Sequence, residues 1–189
     1  VTVNGLIINY TVFMTFGEVP CMIFGGLSPK FTRWVGSKKS AFNISALICI
    51  VFSVAFFFVP MDPAYIWLMV ALVILTSVGV GFYSPLLWSM YADVADYATE
   101  KNGTSSTGLI FSSGTMAQKF GSAISGSLVA ILLGIAGFIS GSDPATGETI
   151  ITITDPEAVK EMIWLLFSII PAFIVLIMVF LLHKYPIKK

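Results

Sequence analysis

Five long apolar runs limit how this chain can fold. They cover residues 4–27, 41–59, 65–91, 104–139 and 162–182, and a helix of about 20 mostly apolar residues is long enough to cross a bilayer. Charged residues make up 11% of the 189 residues, whereas soluble domains carry about 25%. A soluble core of this size cannot shelter so much apolar surface. The sequence therefore predicts an all-α transmembrane protein with about five membrane-spanning helices.

Lysines and arginines are distributed unevenly between the predicted spans. One set of alternating connections carries Lys30, Arg33, Lys38, Lys39, Lys101, Lys184, Lys188 and Lys189, and the other carries Lys160. Because basic loops stay in the cytoplasm, we expect segments 28–40 and 92–103 and the C-terminus to face the cytoplasm of a cell membrane. Five spans then place the N-terminus outside. Since multi-span transporters usually begin inside, an odd number of upstream helices is expected to be absent.

Prolines and helix-capping residues indicate where the spans bend and begin. Pro20, Pro85 and Pro171 are expected to interrupt three helices, as such residues do in transporters. The triplet Asp155-Pro156-Glu157 predicts an N-cap, a proline in the first helical position and an acid in the first turn of the fifth helix. Segment 141–160 between the fourth and fifth spans is predicted to be a flexible loop without chemistry.

Several site classes have no sequence signal. Basic and acidic side chains balance at ten each, which leaves no basic stripe for nucleic acid. Cys21 and Cys49 lie within apolar runs and are predicted to be free packing thiols. No His, Cys and Asp cluster has the spacing of a metal site, and no nucleophile motif is visible. We therefore expect neither an enzyme nor a metal protein.

Lys119 is the most informative single residue. It lies in the middle of the fourth run, where a lysine costs on the order of 3 kcal/mol to insert. Ser112, Thr115, Ser122 and Gly126 share its helical face. This polar stripe predicts that Lys119 faces a polar cavity, a sugar hydroxyl or a carboxylate. The alternative is a structural ion pair with another helix.

Acidic residues give two weaker hypotheses. Glu18 lies within the first run, where it could pair with Lys119, bind a coupling proton, or be an ordinary charge beside Pro20. Asp93 and Asp96 lie one helical turn apart at the inner end of the third run. They predict a cytoplasmic gate that closes on basic residues of another part of the protein. The alternative is a solvated helix end.

Two neighbouring stretches carry a specific pattern. ADVADYATEKNGTSSTG contains Asp93, Asp96, Tyr97 and Lys101, and TMAQKFGSAISG contains Lys119, Gly121, Ser122 and Ala123. With 26 positions from Asp93 to Lys119, the pattern resembles the tenth-to-eleventh helix region of the glycoside–pentoside–hexuronide:cation symporters. The stretch GGLSPKFTRWVGSKKS resembles the basic motif between helices eight and nine of major facilitator proteins.

This resemblance implies a fold and an activity. The five spans would correspond to helices eight to twelve of a twelve-helix major facilitator fold whose N-terminal half is absent. The activity would be symport of a glycoside or related sugar with sodium or protons, by alternating access. The expected partners are the sugar, the bilayer and the missing half, with the coupling cation as co-substrate and no other cofactor. A lipid or drug carrier of the same superfamily, or a non-transporting membrane sensor or enzyme, remains an alternative.

The resemblance also implies roles for individual residues. Lys119 matches a family lysine at the sugar and cation sites, and Thr115 matches a residue near the sugar. A family member with known sugar contacts has a Trp nine residues before the first Asp, where this chain has Ser84. Tyr83 and Trp88 are the neighbours expected to stack on a sugar ring instead. Lys119 and Glu18 are the predicted coupling residues, and the gate is predicted to comprise Asp93, Asp96, Tyr97 and Lys101.

Overall fold

A computed structural model describes residues 2–3, 6–7, 10–60, 62–142 and 149–183. The predicted span start at Asn4 and the tail lysines Lys184, Lys188 and Lys189 lie outside these residues. In chain order the elements are β1 (Thr2–Val3), β2 (Leu6–Ile7), α1 (Tyr10–Val35), α2 (Lys38–Phe57), a 3₁₀ turn (Pro63–Tyr65), α3 (Ile66–Asn102), α4 (Thr107–Ile135), β3 (Phe138–Ser142), β4 (Thr149–Ile153), α5 (Pro156–Phe167) and α6 (Ile169–His183).

The predicted helical membrane fold is confirmed. Within the described residues, five helical stretches are long and apolar enough to span a bilayer. They are Val12–Val35, Lys38–Phe57, Ile66–Asn102, Thr107–Ile135 and Pro156–His183. The last stretch combines α5 and α6. The chain is therefore a multi-pass membrane protein.

Two segments that were expected to be cytoplasmic loops are largely helical. α1 continues to Val35 and α3 continues to Asn102, so most of segments 28–40 and 92–103 extends these helices. Each helix ends at a glycine with positive φ, Gly36 at 85° and Gly103 at 68°, a conformation that favours glycine as a C-terminal cap. In both helices, hydropathy indicated where the apolar part ends, but the helix itself continues further.

α3 is longer than a bilayer requires. Its 37 residues span about 55 Å at the usual helical rise, while the hydrocarbon core is about 30 Å thick. Its apolar part ends near Tyr91, and the remaining residues are rich in charges. The last three turns of α3 therefore project beyond the apolar layer and carry the predicted gate residues there.

The prolines differ in their effect, which corrects part of the prediction. Pro20 lies inside α1 and Pro85 inside α3, yet both helices remain continuous. Pro171 follows a real break, since α5 ends at Phe167 and α6 starts at Ile169. Proline has no N–H for the carbonyl four residues earlier, and here that carbonyl belongs to Phe167. The Ser168 hydroxyl bonds to the Trp164 carbonyl oxygen at 2.6 Å.

Part of the segment that was expected to be a loop, residues 141–142 and 149–153, lies in two paired β-strands. β3 pairs antiparallel with β4, from Phe138 opposite Ile153 to Ser142 opposite Thr149. The following helix starts as the Asp-Pro-Glu triplet predicts. The Asp155 carboxylate accepts a hydrogen bond from the Ala158 backbone N–H at 3.1 Å, with Pro156 in the first turn.

The central contact of the bundle places α3 between α1 and α2. A Cβ at Gly81 would lie 2.7 Å from the Cys21 backbone oxygen on α1. A Cβ at Gly79 would lie 2.8 Å from the Ser45 backbone oxygen on α2. Because neither position has room for a side chain, these glycines let both neighbours approach α3 closely. The two cysteines are free thiols, and Cys49 is buried in this contact.

The end of the bundle that holds the α1–α2 turn contains the main apolar core. Its buried residues are Ala41, Phe42, Ala46, Leu86 and Met90, and side chains of α6 pack against them. On α1, Ser28 is 2% exposed and donates a hydrogen bond to the Phe82 backbone oxygen at 3.0 Å. The three helices α1, α2 and α3, which we call the central trio, thus form a well-packed unit.

Candidate functional site

Lys119 lies on the most open helix of the bundle. It is 12 positions from the first residue of α4 and 16 from the last. Every residue from Thr115 to Ile131 is exposed. No ion pair of Lys119 is found within the described residues. A lysine in this position presents an ammonium group that can donate hydrogen bonds to sugar hydroxyls or to a carboxylate.

The hydroxyls beside Lys119 donate to their own helix. Thr115 donates to the Phe111 carbonyl oxygen at 2.8 Å, and Ser122 donates to the Gln118 carbonyl oxygen at 2.9 Å. Ser112 donates to the Leu109 carbonyl oxygen at 3.0 Å. With their hydrogens committed, these oxygens offer lone pairs to a ligand. The stripe therefore combines a cationic donor with neighbouring hydroxyl acceptors.

An aromatic cluster joins α4 to α3 at the start of this stripe. The Trp88 and Phe111 rings are nearly parallel at 8°, with centroids 6.4 Å apart. Tyr91 packs against both, 5.7 Å from Trp88 and 6.5 Å from Phe111 between centroids. Gly114 is the buried residue of α4, and the Tyr91 ring lies directly over it. We call Trp88, Tyr91 and Phe111 the aromatic cluster.

The structure brings some of the predicted sugar residues together and separates another. Trp88 stacks on Phe111, which lies one turn before Thr115 and two turns before Lys119 on α4. Ser84 is exposed one turn before Trp88 on α3. Tyr83 instead packs against Phe42 of α2, with ring centroids 5.7 Å apart. Tyr83 therefore contributes to the core facing α2.

Glu18 is an exposed residue of α1. The ion pairs of the described residues do not include Glu18, and its pairing with Lys119 stays a prediction. Both intramembrane charges are thus left without a counter-charge within the described part of the chain. Each remains available to a partner that is not part of this bundle.

The predicted gate contains a specific ion pair. Lys38, at the start of α2, contacts both carboxylate oxygens of Asp93 on α3, with Nζ–Oδ1 and Nζ–Oδ2 distances of 2.8 and 2.7 Å. The side chains are 28% and 14% exposed. Such partial burial means that salt screens this ion pair less than one on an open surface. It ties the projecting part of α3 to the α1–α2 turn.

The other predicted gate residues are more open. Asp96 and Tyr97 are exposed, and the Lys101 ammonium lies 6.0 Å from the centroid of the Tyr97 ring. The prediction assigned the partner of Asp93 to another part of the protein, whereas Lys38 supplies it from within this chain. Lys38 belongs to the basic stretch identified in the sequence. It is 55 positions from Asp93, and the sequence does not indicate that the two residues are in contact.

A cavity of about 270 Å³ opens beside this ion pair, between α1 and α3. Thr32, Arg33, Lys38 and Ser89 are among its lining residues. These cationic and hydroxyl groups give part of the cavity a polar lining beside the apolar core. Across the described residues, no cluster of three His, Cys, Asp or Glu side chains could hold a metal ion.

Several known proteins are similar to this chain, and those whose names state a function are named as carriers, symporters or transporters. The glucuronide carrier protein homolog of Escherichia coli K12 is 35% identical over 117 residues, 60% of this chain and 24% of that protein. A second E. coli K12 protein, whose name includes "glycoside/cation symporter YagG", is 29% identical over 143 residues, 76% of this chain and 30% of that protein. An uncharacterized 29.9 kDa protein of Pseudescherichia vulneris is 30% identical over 138 residues.

The chain spans between about a quarter and one half of the length of these relatives, with 24%, 30% and 50% covered. Residues 5–189 match the family described as "MFS/sugar transport protein". This match includes the aromatic cluster, the polar stripe of α4 and the Lys38–Asp93 pair. The chain belongs to this family of major facilitator sugar transport proteins, within the glycoside–pentoside–hexuronide:cation symporter group.

Proposed function

We propose that this chain is the C-terminal bundle of a symporter that moves a glycoside or related sugar together with sodium or protons. The observation that carries the proposal is the open stripe of α4. There a lysine without a counter-charge in the described residues stands beside hydroxyl acceptors and the aromatic cluster. Sugars are recognised by aromatic faces combined with hydrogen-bonding groups, and this stripe offers both.

The sugar site proposed here follows the two helices that meet at the aromatic cluster. Trp88 on α3 provides an aromatic face, with Ser84 one turn away on the same side. Thr115 and Lys119 continue the site along α4. The family names of the relatives support a sugar as substrate.

Coupling requires a charged group whose surroundings change when the cation binds. Lys119 and Glu18 are the intramembrane charges of this bundle, and neither has an ion-pair partner in the described residues. An unpaired intramembrane charge is costly, so each favours a state in which a partner neutralises it. We propose that Lys119 takes its partner from the other half of the transporter, and that this pairing changes as the cation binds.

The gate is proposed to act at the projecting end of α3. The Lys38–Asp93 pair keeps this end rigidly attached to the α1–α2 turn, so that it moves with the bundle as one unit. Asp96 and Tyr97, which are exposed, would then meet basic groups of the other half when the transporter closes on that side. Such rocking of one half against the other is the alternating-access cycle.

The basic end of the bundle is proposed to face the cytoplasm. The α1–α2 turn, the end of α3 and the end of α6 lie together, since Lys39 Nζ is 3.0 Å from the His183 backbone oxygen. This is the end with the basic residues, and the positive-inside rule places it in the cytoplasm. We propose that the five spans are helices eight to twelve of a twelve-helix transporter, with the C-terminus inside.

The test is uptake by the full-length transporter that contains this chain. Cells lacking endogenous glycoside carriers would express it and be given labelled glycosides, with and without sodium or proton gradients. We expect accumulation of at least one glycoside that collapses when its coupling gradient is removed. Uptake that ignores every cation gradient would overturn the symport proposal, and uptake of lipophilic drugs alone would favour a drug carrier.

A further inference from the structure

Tyr91 occupies a special place in the contact between α3 and α4. A Cβ at Gly114 would lie 3.2 Å from Tyr91 Cζ and 3.3 Å from Cε2. Cζ is the ring carbon that bears the hydroxyl, so the hydroxyl end of Tyr91 lies over the backbone of α4. Gly114 immediately precedes Thr115, which brings this phenol group to the edge of the polar stripe.

The ring is held in this position from two sides. Trp88, on the preceding turn of α3, packs against it with centroids 5.7 Å apart, and Phe111 of α4 packs at 6.5 Å. A tyrosine side chain has two main torsions, χ1 and χ2, so contacts on both sides of the ring restrict where the hydroxyl can lie. Tyr91 is half-buried, and it is therefore a rigid, preorganised group.

The hydroxyl itself has no hydrogen-bond partner within the described part of the chain. A tyrosine hydroxyl that is partly removed from water usually finds a partner. Thr115, the neighbour of Gly114, gives its hydroxyl hydrogen to the Phe111 carbonyl oxygen, so it cannot donate to Tyr91. On α4, Gln118 is one turn after Gly114 and shares its face. The Tyr91 hydroxyl can therefore donate a hydrogen bond to a ligand at the edge of the polar stripe of α4, where the neighbouring hydroxyls act as acceptors.

We propose that Tyr91 is a specificity-determining residue of the sugar site, whose hydroxyl forms a hydrogen bond with one particular hydroxyl of the sugar. This inference rests on the proposed sugar transport. Gly114 is needed for this arrangement, because any side chain at position 114 would displace the Tyr91 ring. A site built to bond one sugar hydroxyl discriminates against an analogue that lacks it, since its own polar group is then left unpaired.

The experiment compares the full-length transporter with its Tyr91→Phe variant, which keeps the ring and its packing but removes the hydroxyl. Once a transported glycoside is identified, uptake of that sugar and of its single-deoxy analogues is measured, each with its own KM and maximal rate. Tyr65→Phe is the matched control, because Tyr65 lies in the 3₁₀ turn just before α3, is 44% exposed and is outside the proposed site.

We expect Tyr91→Phe to raise KM for the parent sugar about three- to tenfold, as for loss of one hydrogen bond. For one deoxy analogue, the ratio of parent-sugar uptake to analogue uptake should fall to about one in the variant. The ratios for the other analogues should stay as in the wild type. Unchanged discrimination for every analogue, with normal membrane expression, would overturn the inference while leaving sugar transport intact. If the wild type transports no glycoside, both the inference and the proposed function fail.

Gly114→Ala provides a second test that does not depend on the hydroxyl. Its Cβ would push on the Tyr91 ring. The transporter should then no longer discriminate against the same deoxy analogue, even though the hydroxyl is present. Discrimination as strong as in the wild type would contradict a fixed position of Tyr91. Membrane expression and monodispersity in detergent are measured alongside, so that misfolding is recognised separately.

Discussion

The central trio and α4 differ in how closely their helices pack against neighbours. In the trio, small residues bring three helices so close that a methyl group added at Gly79 or Gly81 meets backbone atoms of the neighbouring helix. On α4, glycines such as Gly121, Gly126 and Gly134 have nothing within 4 Å of an added methyl group. The same residue type serves tight packing in one region and lies on an open surface in the other.

We expect this difference to separate residues needed for stability from residues needed for transport within one bundle. The trio carries most of the buried core residues and the Lys38–Asp93 pair, whereas α4 carries Lys119 and the polar stripe. α4 is attached to the rest by the aromatic cluster at one end and by contacts with α5 and β3 at the other. Substitutions in the trio should therefore reduce folding, and substitutions on the open face of α4 should reduce transport.

The largest expected effect is the loss of coupled uptake in Lys119→Ala of the full-length transporter. Removing the ammonium removes the cationic donor of the stripe and the charge that we propose for coupling. Initial rates of gradient-driven uptake should fall by about a hundredfold or more, a cost of about 2.7 kcal/mol, while membrane insertion stays normal. Lys160→Ala is the control, since Lys160 is 46% exposed and makes a loose 3.8 Å pair with Glu157. If Lys119→Ala instead unfolds the protein, the separation of stability from function fails.

A methyl group added at Gly81 tests the other side of the comparison. Gly81→Ala places a Cβ 2.7 Å from a backbone oxygen of α1, so the helices must move apart, at a cost of about 1–3 kcal/mol. Gly134→Ala, in open space on α4, should be neutral or slightly stabilising. Thermal unfolding of the two purified variants in detergent measures the difference. Equal midpoints would show that the close contact of the trio does not limit stability.

Charge exchange tests whether the Lys38–Asp93 pair unites the gate with the trio. Lys38→Asp and Asp93→Lys should each lower uptake about three- to tenfold, because each leaves two partly buried like charges together. The double exchange should recover a large part of the loss, as expected for two residues in direct contact. Initial uptake rates, normalised to membrane expression, measure the effect. Additive losses in the double variant would mean that the two residues act independently.

The smallest expected difference concerns two serines. Ser28→Ala removes a buried hydroxyl that bonds α1 to α3 and should cost about 1 kcal/mol. Ser113 is exposed on α4 and donates to Ile110 of its own helix, so Ser113→Ala should change stability much less. The unfolding midpoints in detergent are again the measurement, and a larger loss for Ser113→Ala would reverse the comparison.

Some features of this fold were readable in the sequence because they depend on local chemistry. Apolar run length predicted the five spans, since crossing a bilayer sets a minimum number of apolar residues. Asp155, Pro156 and Glu157 predicted a helix start, because capping depends on three consecutive residues. The resemblance led to the family through the pattern around Asp93 and Lys119.

Other features depend on contacts between distant residues, which a single sequence does not encode visibly. The partner of Asp93 is 55 positions away at Lys38, and nothing in the local pattern selects it over Arg33 or Lys39. Tyr83 and Trp88 were equally plausible sugar contacts, but a helix turns them to different neighbours. The contact between Tyr91 and Gly114 joins two helices, and no local pattern in the sequence points to it. Hydropathy also could not reveal that α1 and α3 continue as helices beyond their apolar parts.

The most direct test of the central claim is cation entry driven by sugar. The full-length transporter would be reconstituted in vesicles with equal sodium and proton concentrations on both sides, and a glycoside gradient would then be imposed. The account predicts that sodium or protons enter with the sugar, and that Lys119→Ala vesicles show no such entry. Sugar movement without any cation movement in the wild type would contradict symport.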